Sequence, residues 1–316
     1  DMAAMFLDSE SLGDDQGKES ALQLSKLISS ELLPQYDTIL RDQDPLPSYA
    51  LKLLLAFLEH SPSFSEAVID KGVVEILGEI LERHDDDVSG SAVQTIVSLL
   101  DCLVSSTADL WPLYEQGLID HVTTLFVSGA TLITHKDSEQ NFSEVILPLL
   151  DTVHGIMKYS SKVVREAFQA KSAGNGDVLT EKAEKILLEG KPLVELTGVL
   201  VQFLCHYDPD IQEWSLRCLY QVVELFGGTH EDAMSAENIA CFAEALLASD
   251  SKKQKQILRI IKRVVTSSTW HAAALKEHGD ALLDALVQIT KVENATEDTN
   301  AVKSLVVEIT KATGIA

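Results

Sequence analysis

Apolar residues recur along this chain at steps of three and four, the spacing that gathers them on one face of an α-helix. The pattern begins at Ser20 with Leu22, Leu24, Leu27, Ile28 and Leu32, and Pro34 then starts or kinks a helix carrying Tyr36, Ile39 and Leu40. Asp44-Pro45-Leu46-Pro47-Ser48 reads as a rigid turn that ends in an N-cap. A helix over 49–59 follows, with Leu51, Leu54, Leu55 and Leu58 on its buried side. Ser61-Pro62 then caps a short helix that runs to about Asp70. Gly72 breaks the chain before a third helix over 73–83, which buries Val74, Leu77, Ile80 and Leu81.

The same order then returns. Residues 84–90 form an acidic loop, 91–103 a helix rich in Val, Ile and Leu, and 107–116 a shorter helix containing Trp111-Pro112. Gly117 breaks the chain before a helix over 118–126. Gly72 and Gly117 stand 45 residues apart, with Lys71-Gly72-Val73-Val74 and Gln116-Gly117-Leu118-Ile119 in matching places. Further helices are expected over 141–159, 162–169, from Thr180, and over 193–207, 211–226, 236–248, 252–265, 268–277, 281–290 and 298–313. His278-Gly279-Asp280 repeats the glycine break once more, and no alternating strand pattern separates the helices. A long, short and third helix recurring at this period predict an all-α fold, an armadillo/HEAT-type α-solenoid superhelix. Residues 20–316 form its repeat domain, residues 1–19 a flexible or short-helical N-terminal extension, and Gly174-Asn175-Gly176 a mobile loop near 170–177.

Composition narrows the function classes. The 316 residues carry 25 basic and 49 acidic side chains, a formal charge of −24, which repels nucleic-acid phosphates and anionic lipid headgroups. No run of apolar residues is long enough for a membrane helix, and no basic-then-apolar signal opens the chain. Nucleic acid and membrane are therefore not expected as partners, and a cytoplasmic location is. Cys102, Cys205, Cys218 and Cys241 lie in apolar helical patterns without a CxxC pair and read as reduced core residues. Asp1 precedes Met2, which reads as a processed or excised piece of a longer chain.

Sequence motifs for catalysis are missing. Gly190-Lys191-Pro192 lacks the rest of a phosphate-binding loop, His230-Glu231 is a dipeptide without a second metal-ligating histidine, and Asp85-Asp86-Asp87 reads as a solvated acidic loop. Neither an enzyme activity nor a cofactor is expected of this segment. The basic residues, however, cluster. Residues 251–276 hold Lys252, Lys253, Lys255, Arg259, Lys262, Arg263 and Lys276 with no Asp or Glu among them. Lys255, Arg259 and Lys262 share one helix face, Arg263 lies at its margin, and Leu258, Ile261 and Val265 mark much of the opposite side. These four cations are the candidate protein-binding residues, suited to acidic side chains or a phosphorylated peptide. Trp111, Trp214 and Trp270 sit in or beside apolar patterns and are expected in the core rather than at a binding surface.

The segment Pro45-Leu46-Pro47-Ser48-Tyr49-Ala50-Leu51-Lys52-Leu53-Leu54, with Leu58-Glu59-His60 after it, resembles the C-terminal armadillo/HEAT-repeat region of the Fused and unc-51-like pseudokinase family. The resemblance is sharp over residues 44–83 and general elsewhere. It implies a non-catalytic scaffold in cilium-, microtubule- or Hedgehog-linked assemblies, with a kinase or pseudokinase domain elsewhere in the full chain. Two alternatives remain open, a regulatory segment acting on that attached domain and an adaptor for a linear cargo peptide. The expected partner is a protein, either an acidic or phosphorylated peptide or another domain of the same chain.

Overall fold

Glycines in left-handed backbone, prolines in first turns and short polar caps divide this chain into helices. The computed structural model describes residues 23, 26–84, 87, 90–131, 139–174, 177–227, 230–291 and 296–314. The expected extension over 1–19 and the centre of the expected loop, 175–176, lie outside the described residues. Sixteen α-helices of five or more residues occur among the described residues, with no β-strand. The chain is an all-α solenoid of armadillo/HEAT type.

In the first unit, residues 1–156, α1 (Tyr36–Leu40) leads into two long–short–third helix sets. These are α2 (Leu46–His60), α3 (Ser65–Ile69) and α4 (Val73–Arg83), then α5 (Ser91–Ser106), α6 (Trp111–Glu115) and α7 (Leu118–Thr131). The helix α8 (Glu139–Ser172) closes the unit with its residues up to Ile156. Equivalent helices stack: α2 packs on α5, and α4 on α7. Leu54, Phe57 and Leu58 of α2 and Ile96, Leu99 and Leu103 of α5 are fully buried, and each such large apolar side chain contributes about 1.5–3 kcal/mol. Tyr36 is buried with them because its hydroxyl donates to the Ala50 carbonyl at 3.0 Å.

The two glycine breaks are left-handed, with φ of +67° at Gly72 and +81° at Gly117. A sharp reversal of this kind leaves the first amides of the following helix without intrahelical acceptors. Gln116, the residue before the second glycine, supplies one for the first break. Its Oε1 accepts from the Val74 amide at 3.2 Å, and its Nε2 donates to the Ile69 carbonyl at 2.8 Å. A second inter-repeat contact needs a glycine for space. The Gly78 backbone in α4 faces the His121 ring of α7 so closely that an added Cβ would lie 2.0 Å from Cε1. Burial holds the His121 imidazole below its ordinary pKa, against the opposing pull of Asp120, the Gln116 carbonyl and Glu82. The neutral ring is the form that fits there.

The second unit, residues 157–316, takes the rest of α8 and α9 (Asp177–Glu189). After a 3₁₀ segment over Lys191–Leu196 come α10 (Thr197–Phe203), α11 (Pro209–Phe226) and, past a 3₁₀ turn, α12 (Ala236–Ala248). Then follow α13 (Ser251–Ser267), α14 (Thr269–His278), α15 (Asp280–Thr290) and α16 (Glu297–Thr313). The long helices α11, α13 and α16 form one row, with α13 against α16 the most extensive pairing, while α10, α12 and α15 form the other. Side-chain caps set several starts: Asp208 accepts from Asp210, Asp250 from Lys253, and Thr296 and Thr299 cap each other's amides.

Several boundaries differ from the sequence reading. α2 begins at Leu46, inside the expected turn, because Pro45 and Pro47 occupy a helix start, where a missing N–H costs nothing. Ser48 is therefore not the cap, and its hydroxyl donates to Asp44 instead at 2.9 Å. α8 runs unbroken through 160–161 and on to Ser172, so the first part of the expected loop is helical. Conversely the helix expected over 193–207 is α only from Thr197 to Phe203. Gly279 occupies the third glycine position with φ −89°, and what demands glycine there is space, since a Cβ would meet the Leu275 carbonyl oxygen at 2.0 Å.

Gly78→Ala and Gly72→Ala separate the two uses of glycine. The first forces a methyl into the His121 ring and is expected to cost about 1–3 kcal/mol. At Gly72 space is open and only the left-handed backbone resists, at about 1 kcal/mol. Urea denaturation of both variants measures the difference, and a larger loss at Gly72 would contradict the close α4–α7 contact.

Candidate protein-interaction surface

Helix α13 carries the four candidate cations together with Lys252 and Lys253, and at 100° per residue its sequence sorts these six in three directions. Ile257, Leu258, Ile260, Ile261, Val264 and Val265 are buried, which fixes the rotation of the helix. On one flank, Lys255 Nζ lies 3.0 Å from Asp298 Oδ1 of α16, and Lys262 bonds Glu308 of the same helix. Lys262 also holds the Glu308 carboxyl below the usual carboxylate range. On the other flank, Lys253 Nζ lies 3.1 Å from Glu213 Oε2 of α11. That carboxyl is lowered first by Lys253 and further by Arg217.

Lys252, Arg259 and Arg263 remain on the outward side, all exposed. Their spacing of seven and four residues makes them one row, and no carboxylate among the described residues pairs with them. Lys255 and Lys262 sit roughly 60–80° around the helix from that row. The structure thus divides the candidate set: Arg259 and Arg263 face solvent, whereas Lys255 and Lys262 tie α13 to α16. Lys252 joins the outward row, a grouping that helical spacing alone leaves equal to the other because it does not say which flank a neighbour occupies.

Trp270 departs from the expected core position. It stands at the start of α14, three residues past the end of α13, and is 66% exposed. Its backbone amide is held by the Ser268 hydroxyl at 3.1 Å, so the cap orders the backbone while the indole stays outside. Trp214 is half-buried beneath the Arg217 guanidinium, 5.0 Å from the ring centroid, and Trp111 stacks on Tyr114.

Among the described residues no group of three His, Cys, Asp or Glu is placed to hold a metal ion. No helix among them is long and apolar enough to cross a membrane. Asp101 of α5 is pushed up to about 6, first by burial and then by Asp151, with the Thr152 hydroxyl 3.5 Å away acting in the opposite sense. It sits against α8, with the Asp151 carboxylate and the Thr152 hydroxyl as its neighbours there.

The family of ULK4-like serine/threonine-protein kinase HEAT repeats matches residues 1–66. The mouse serine/threonine-protein kinase ULK4 is 40% identical over 284 residues, 88% of this chain and 22% of that protein. Over most of its length the chain is therefore similar to ULK4. It spans about a fifth of the length of this curated relative. A computationally designed armadillo repeat protein for modular peptide recognition aligns over 89% of this chain and 99% of its own, at 17% identity and a TM-score of 0.51, which concerns the fold. The matches bear on ULK4, and a link to Fused stays an expectation of the sequence resemblance.

Two measurements follow from these side chains. Lys255→Glu should destabilise the fold by placing like charges across α13 and α16, and adding Asp298→Lys should restore part of the loss. The double-mutant cycle should give a coupling of about 0.5–1 kcal/mol. No coupling would mean the pair does not join these helices. Asp101 sets the second. Its folded pKa lies above the unfolded one, so the native state retains a proton that the unfolded chain has already released. Stability should rise as pH falls from about 6 towards about 4. Asp101→Asn should flatten that part of the curve, and an unchanged pH difference between the two proteins would exclude the assignment.

Proposed function

We propose that this chain is a non-catalytic protein-interaction scaffold that receives an acidic segment of a partner on the outer side of α13. The observation that carries the reading is the row Lys252, Arg259 and Arg263, uncompensated among the described residues on a chain of charge −24, with exposed Trp270 following it. Arginine and tryptophan are the residue types that most often dominate binding energy, and a guanidinium pairs carboxylate or phosphate in two-point geometry. Lys255 and Lys262 belong to the proposed surface as its flank. Their charges are offset by α16, so they orient the helix more than they attract a partner. The acidic surroundings disfavour a polyanion such as nucleic acid and leave a short acidic or phosphorylated peptide as the fitting ligand.

A regulatory role within a longer chain is the second reading. It is favoured by the similarity to one-fifth of a much longer kinase-named protein. In that case the acidic segment lies in another domain of the same chain. Placement in a cytoplasmic, cilium- or microtubule-linked assembly, and the cargo-adaptor alternative, rest on the family resemblance. Localisation of the tagged full-length protein tests the first, and the partner's mobility along microtubules tests the second.

The test of the surface itself uses an array of acidic and serine-phosphorylated peptides, each with and without an aromatic residue, probed with this chain. Binding to a subset should fall about tenfold or more in Arg259→Glu/Arg263→Glu, weaken in Trp270→Ala, and fade as salt rises. The fold of each variant is checked by circular dichroism. If acidic peptides bind no better than neutral ones, or the double variant binds equally well, the surface is wrongly assigned.

A further inference from the structure

The four cysteines read from the sequence as reduced core residues, and the fold brings two of them into contact. Cys205 follows α10 by two residues, and Cys241 lies in α12, the next helix of that row. The Cys205 Sγ–H donates to the Cys241 carbonyl at 3.2 Å, which places the Cys205 sulfur directly against Cys241. Both are unoxidised and half-exposed, so a small oxidant can reach them. The remaining two differ. Cys218 is fully buried, and Cys102 is in the first unit, where no other cysteine occurs.

We infer that Cys205 and Cys241 form an oxidation-sensitive dithiol site, which closes to a disulfide when a peroxide oxidises one of the pair. Bringing the Cys205 sulfur against Cys241 from a position 36 residues away supplies the proximity that the second step needs. In the first step the Cys241 thiolate attacks a peroxide oxygen and the O–O bond breaks. Hydroxide departs and takes up a proton to become water, leaving Cys241 as a sulfenic acid. In the second, the Cys205 sulfur attacks the Cys241 sulfur as its thiol proton leaves. The S–S bond forms, the S–O bond breaks, and the departing hydroxide is protonated to water. Hydrogen peroxide is thus reduced by two electrons, and two thiols become one disulfide.

The roles of the two residues follow from their surroundings. The hydrogen bond from Cys205 favours the Cys241 thiolate, whereas burial, Glu237 and Glu244 oppose it. Cys205 is raised, first by its bond with Cys241 and then by burial, and so serves as the resolving thiol. Closure would tie the end of α10 to α12 and enclose α11 between the two linked positions.

The experiment uses the chain as it stands, reduced, freed of reductant and exposed to hydrogen peroxide in native buffer and in concentrated urea. Thiols are then alkylated and the non-reduced peptides mapped by mass spectrometry. In native buffer the product should be a Cys205–Cys241 peptide pair lighter by two hydrogens, with Cys102 and Cys218 alkylated. The rate should drop about tenfold or more in urea, where proximity is lost. Cys205→Ser should leave a Cys241 sulfenic acid that dimedone traps, whereas Cys241→Ser should trap far less. The native-against-urea comparison needs no substitution, so a variant that fails to fold does not decide the matter. A cross-link to another cysteine, oxidation of either sulfur without cross-linking, or an equal rate in urea would overturn the site.

Discussion

Every repeat in this chain has an apolar face too wide to cover by itself, and only a neighbouring repeat of matching shape can bury it. That requirement explains why α2 lies on α5, α4 on α7 and α13 on α16, with large aliphatic side chains in each seam. It also explains the glycines. Gly72 and Gly117 turn the chain in left-handed backbone so that the third helix of each set reaches its equivalent. Gly78 then lets the α4 backbone approach the His121 ring, a distance that any side chain would forbid. Gln116 completes the arrangement by satisfying polar groups that the Gly72 turn leaves open.

Stacking also decides where charge ends up. A helix held between two others has its buried side and both flanks determined by packing, leaving one narrow strip for solvent. On α13 the flanking lysines meet Glu213, Asp298 and Glu308, and the strip keeps Lys252, Arg259 and Arg263. The salt bridges are partly exposed and individually modest, so their main consequence is to compensate the flanks and leave the positive potential on the outward row. The same principle of adjacent equivalent helices brings Cys205 and Cys241 together in the other row, at the α10–α12 seam.

The similarities to ULK4 and to the designed armadillo protein fit this division between shared architecture and local chemistry. Identity of 40% with the mouse protein extends over most of the chain, whereas the designed armadillo protein shares the fold at 17% identity. A solenoid tolerates such divergence because its seams require apolar volume and spacing rather than particular residues. Its outward strips are free of that demand, which is why a partner is sought on exposed side chains such as Arg259, Arg263 and Trp270 rather than in the core.

From sequence alone the helical class, the long–short–third order and the Gly72/Gly117 echo were all legible, because hydrophobic period and glycine punctuation are local properties. Boundaries were less so. Pro45 and Pro47 read as a turn and instead open α2, since proline suits either setting until packing chooses. The core side of α13 was also legible in Leu258, Ile261 and Val265, all buried. Which cations on its far side would meet acids was not, because Asp298 and Glu308 lie 43 and 46 residues away from Lys255 and Lys262. Trp270 was misplaced for a related reason: an indole beside an apolar run can face either way, and only the cap at Ser268 and the packing of α14 turn it outward. The sequence by itself therefore determined that this chain coils into stacked helices with a basic stretch on a strongly acidic protein. The tertiary structure alone decided which charges are compensated, which tryptophan is exposed and which cysteines touch, because each depends on the direction from which a distant helix arrives.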